Sequence, residues 1–114
     1  MSFSFEVRWE MKKKIKIGST PTHTFTIPYD TSLLDIVEIT YSQRGQVVLQ
    51  KREDDCTMED DVISVKLKER DTFLFDSAYP VEIQMRIGDK DGTVIPSDII
   101  NVSCARCLSQ DVLS

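Results

Sequence analysis

Apolar and polar residues alternate at every second position through most of this chain, and that period predicts strands. In "THTFTI", His23, Phe25 and Ile27 share one face and Thr22, Thr24 and Thr26 the other, as in a half-buried strand rich in β-branched residues. "PYDTS" breaks the pattern, with Thr31 or Ser32 placed to cap one helical turn through "LLDI". "IVEITYSQ" puts Val37, Ile39 and Tyr41 on one side. Arg44–Gly45 turns the chain, because glycine takes positive φ without a Cβ penalty, and "QVVLQKR" returns as the second arm of a hairpin. An acidic loop with "EDD" on each side of Cys56 and Met58 follows, and then "VISVKL", with Ile63, Val65 and Leu67 on one face. "KERDTFLFD" reads as a turn and a short strand. "PVEIQMRIG" alternates most cleanly, and "DKDG" is a turn. After Pro96 a last strand is expected from about Asp98 to Ala105.

The pattern therefore predicts an all-β protein, an Ig-like antiparallel β-sandwich of about seven strands, with a closed barrel as the alternative. No stretch supports a helix of more than a turn or two, which excludes a doubly wound α/β fold, and there is no internal repeat or low-complexity segment.

At 114 residues the chain is long enough to bury a core without disulfide or metal staples. It divides into an N-terminal arm or edge strand (1–16), a sandwich domain (17–108) and a C-terminal tail (109–114). The net charge of −5 is uneven: the first sixteen residues carry +3 and the remainder −8. An acidic body repels phosphate backbones, so no nucleic-acid partner is expected. The N-terminus has no apolar secretory core and no apolar run is long enough to span a bilayer, so no membrane association is expected either. Three cysteines are too few for a secreted disulfide scaffold and point to synthesis in a reducing cytoplasm.

Candidate chemistry is sparse. Cys104 and Cys107 in "CARC" point to opposite faces of an extended strand, and there is no second ligand pair. A zinc site needs Cys56, Cys104, Cys107 and His23 to converge, and a redox pair needs a helix N-terminus in an α/β fold. The reading preferred is Cys104 as a small core residue and Cys107 at a strand end. His23, the one histidine, reads as a partly buried structural imidazole. The acidic groups Glu53–Asp55 and Glu59–Asp61 lack the spacing and glycine of a calcium loop and read as solvated charge. Phosphate loops, nucleophile elbows and metalloprotease motifs are missing. The expectation is a protein without catalytic residues, cofactor or metal.

Binding has more support. Phe3, Phe5, Val7 and Trp9 share one face of an extended N-terminal segment, with Ser4, Glu6, Arg8 and Glu10 opposite. These four are the candidate partner contacts. The segment completes its own sheet, adds to the edge of a neighbouring subunit, or extends loosely. Met11, before "KKKIKIG", offers a second start of translation.

From Met11 onward the stretches "KIGSTPTHTFTIPYDTS", "VEITYSQRGQVVLQK", "VEIQMRI" and "GTVIPSDIINVS" resemble small phage and prophage structural proteins of Gram-positive bacteria. The likeness extends to about Leu113, and the first ten residues are additional to it. It rests on short non-catalytic motifs, so no catalytic residue carries over. The resemblance implies a virion structural protein of tail, baseplate or head decoration, similar to the N-terminal β-sandwich domains of baseplate upper proteins. It would be made in the host cytoplasm and dock onto copies of itself, as a homo-oligomer, and onto other virion proteins. The alternative is a carbohydrate- or cell-surface-binding module on the same fold, for which Trp9, Tyr29, Tyr41 and Tyr79 are the available aromatic platforms.

Overall fold

A computed structural model describes residues 5–9, 14–108 and 113, with Trp9 described by its backbone alone. The chain is all-β. In chain order the strands are β1 (Arg8–Trp9), β2 (Ile15–Lys16), β3 (Thr22–Thr26), β4 (Leu34–Gln43), β5 (Gln46–Arg52), β6 (Cys56–Glu59) and β7 (Val62–Lys66). After one helical turn, α1 (Glu69–Thr72), come β8 (Val81–Asp89), β9 (Val94–Pro96), β10 (Ile100–Val102) and β11 (Cys104–Ala105). One antiparallel sheet has the order β1-β3-β7-β6, and a second the order β10-β8-β4-β5 with β9 also paired to β8.

The alternation read from the sequence sets which face of each strand is buried. His23 and Phe25 of β3 and Ile63 and Val65 of β7 turn inward from the first sheet. Val37, Ile39 and Tyr41 of β4 and Val81, Ile83, Met85 and Ile87 of β8 do so from the second. The apolar members form one cluster, so the two sheets lie face to face as a sandwich. Each buried Val, Ile or Phe side chain contributes about 1.5–3 kcal/mol of transfer free energy, and the shared face pins the register. The hairpin between β4 and β5 has both Arg44 (φ 56°) and Gly45 (φ 75°) in the left-handed region, the geometry of a type I′ turn.

Several local expectations are corrected. The turn before β4 is a 3-10 turn over Thr31–Leu33, and Asp30, not Thr31 or Ser32, caps it by accepting from the Ser32 N–H at 2.9 Å. The supposed acidic loop contains strand β6, whose Cys56 and Met58 are half-buried while Thr57 and Glu59 are exposed. "TFLF" is not a strand. The Asp71 carboxylate accepts from the Lys68 N–H at 2.8 Å and nucleates α1, and Phe73 and Phe75 pack from the turn that follows. "TVIP" forms β9 against β8, with Pro96 opposite Arg86 on an edge strand. The final strand breaks at Ser103. Its first part pairs with β8, and its second, β11, runs parallel to β2 through Ile15 N–H to Ser103 O (3.0 Å) and Ile17 N–H to Ala105 O (2.9 Å).

The N-terminal segment is built into the same core, with Phe5 5% exposed and Ile15 wholly buried. Phe5 bridges to Ser97: its N–H donates to Pro96 O at 3.2 Å, and its carbonyl accepts from Asp98 N–H at 3.0 Å. Three residues on, β1 pairs with β3, Trp9 opposite Phe25. The arm thus crosses one open side of the sandwich from the second sheet to the first. Thr72 fastens α1 to the chain entering β3, with its hydroxyl 2.9 Å from Gly18 N and 3.0 Å from Ser19 O. Gly18 is required there. Its φ is +87°, and a Cβ would lie 3.3 Å from both Cys107 Sγ and the Phe73 ring.

Candidate functional site

The residues with reactive side chains are placed apart. Cys104 is buried, its sulfur 3.1 Å from Asp76 O and 3.8 Å from Gln43 Nε2. Burial pushes its thiol up, and the Asp76 carboxylate adds to this against the Gln43 hydrogen bond. Cys107 lies beyond β11, against Gly18 and near Phe73. Cys56 sits on β6 with its sulfur 3.2 Å from Arg52 O. Burial, followed by the carboxylates of Asp55 and Glu53 and opposed by Lys51, pushes its thiol up to about 11. The three cysteines form no disulfide. Among the described residues no three His, Cys, Asp or Glu side chains converge to hold a metal ion.

His23 is wholly buried, with Nδ1 2.7 Å from the Tyr41 hydroxyl across the two sheets. Desolvation lowers the imidazole from 6.5 to about 4, and it pushes the Tyr41 phenol far up, helped by the Cys56 and Asp71 charges. The pair is neutral at pH 7 and ties β3 to β4. In the first acidic group, Glu53 accepts from Val37 N–H (3.2 Å) and Asp55 from Arg52 N–H (3.0 Å), so part of that charge serves the 3-10 turn at Glu53–Asp55.

A surface concavity lies where the N-terminal arm crosses the open side. A cleft of about 940 Å³ is lined by Phe5–Arg8, Thr26–Tyr29, Asp61 and Asp98–Ile100. One wall runs into β1 and the other into β10, which terminate their respective sheets among the described residues. Phe5 meets the Tyr29 ring edge-on, centroids 5.8 Å apart and planes at 79°. This props up an aromatic ring that is 38% exposed, and Ile99 nearby is 52% exposed. A shallower depression of about 550 Å³ shares Tyr29, Pro28 and Asp61 and adds Asp30 and Asp60.

Two of the four residues expected to meet a partner line this cleft, Phe5 as buried support and Val7 as half-buried wall. Trp9 enters through the backbone of β1, and Phe3 lies outside the described residues. Sequence reasoning did not single out Ile99 or Asp98 as binding residues, it read Asp61 only as solvated charge, and it offered Tyr29 only as an isolated aromatic. The available signal was an exposed tyrosine in the "PYD" break and two adjacent isoleucines in "SDII", of which a strand buries one. The arrangement offers apolar surface, carboxylates and two sheet edges that are unextended among the described residues, all of them means of binding. No protein-family model matches this chain, and no curated protein matches it.

Proposed function

We propose that the protein is a non-catalytic structural component of a phage or prophage particle, in the tail, baseplate or head decoration, and that it acts by protein–protein docking. The observation that carries docking is the cleft beside the arm, where Tyr29 and Ile99 stay exposed between two sheet edges. The particle context is carried by the resemblance of "KIGSTPTHTFTIPYDTS" and "GTVIPSDIINVS" to small phage structural proteins. A non-catalytic role is supported by a neutral, core-bound His23 and by Cys56 and Cys104 thiols held protonated. The test is a mass-spectrometric inventory of particles purified after induction of the prophage. The chain is expected in stoichiometric amount with the other particle proteins, and its absence from intact particles overturns the reading.

The same cleft favours a second reading, carbohydrate binding, because Tyr29 presents a ring beside the Asp61 and Asp98 carboxylates. Saturable binding on a glycan array that disappears in Tyr29→Ala would select it.

A further inference from the structure

We infer that the cleft takes an extended, basic and apolar segment of a partner protein, added as a strand to the open side of the sandwich. This inference rests on the docking reading and specifies its partner. The first argument is geometric. The cleft walls lead into β1 and β10, and among the described residues neither strand has a neighbour on its outer side. Unpaired N–H and C=O groups along such edges are satisfied by an incoming extended chain, which gains affinity from main-chain hydrogen bonds and specificity from alternate side chains.

The second argument is shape and polarity. Val7, Ile99 and the Tyr29 ring give an apolar floor and rim for every second side chain of such a segment. The third is charge. Among the described residues, the cleft and its adjoining depression around Tyr29 gather Glu6, Asp30, Asp60, Asp61 and Asp98, with one guanidinium, Arg8. Carboxylates around a partly exposed tyrosine face suit lysine or arginine, through ion pairing and attraction to the ring. They repel an acidic segment of the same shape.

The test uses the full chain, 15N-labelled, titrated with a synthetic peptide of alternating Lys and Val and with its Glu–Val counterpart. The Lys–Val peptide is expected to shift the amide signals of the cleft residues, Val7, Tyr29 and Ile99 foremost. Raising the salt should weaken it. Tyr29→Ala should weaken it about fivefold, the loss of one exposed cation–π contact. Glu6→Gln with Asp61→Asn changes two exposed side chains and should weaken it without altering the rest of the spectrum. The proposal is overturned by equal binding of the two peptides, by shifts elsewhere on the surface, or by no shifts at all. If the chain is present in purified particles and any of these results is obtained, docking stands and the basic-strand partner falls.

Discussion

A single buried pair shows how residue-level physics decides role. His23 is the one side chain whose unperturbed titration falls near neutrality, and burial against Tyr41 removes it from that range. The consequence for stability has a definite sign. The folded imidazole protonates only near pH 4, whereas the unfolded one does so near 6.5, so in that window the unfolded chain holds more protons. Stability is therefore full above pH 6.5 and declines as the pH falls towards about 4, by roughly 3 kcal/mol for a difference of this size. Urea unfolding between pH 7.5 and 4 should show that decline. In His23→Phe the slope over the same window should be lost. An equally steep slope in the variant would assign the acid sensitivity elsewhere.

At the level of elements, edges and turns matter more than central strands. β5 ends its sheet, and its Lys51 points inward to Asp71 of α1 at 3.0 Å, with side chains 14% and 11% exposed. An inward-facing charge, together with the irregular register opposite Tyr41 and Ser42, blunts an edge strand against unwanted pairing. Burial raises the Asp71 carboxyl, but the Lys68 N–H and then Lys51 outweigh it, and the net shift is downward. Asp71→Ala removes the cap of α1 and strands a largely buried ammonium, so it should cost roughly 2–4 kcal/mol in urea unfolding. Arg86→Ala breaks the 2.8 Å pair between an exposed guanidinium and the largely buried Glu38 carboxylate, which Arg52 still faces at 3.8 Å, and should cost about 1 kcal/mol. The central strands β3, β4, β7 and β8 were legible in the sequence because one face of each is buried and the two-residue period is strict. α1, β6 and β9 were not. A carboxylate three residues past the N-cap nucleates α1, an outward Glu59 and the acidic residues on either side disguise β6, and β9 is too short to show a period.

For the whole molecule, the arm decides whether the sandwich is complete. Phe5 belongs to the core although it lies only a few residues from the N-terminus, so Phe5→Ala should lower the unfolding free energy by roughly 3 kcal/mol, and half-buried Val7→Ala by about 1. If the midpoint is unchanged in Phe5→Ala, the arm is not part of the folded body. The apolar face of the arm was legible, because alternation is a local property. The cleft was not, because Tyr29, Asp61 and Ile99 are far apart in sequence and meet only when both sheets close. The parallel ladder between β2 and β11 has a mechanical consequence. Tension applied through the two ends of the chain draws these strands in opposite directions along their own axes, so their hydrogen bonds are loaded together in shear rather than unzipped one by one. Resistance to pulling is then governed by the rate at which that clasp yields, not by the equilibrium stability of the fold.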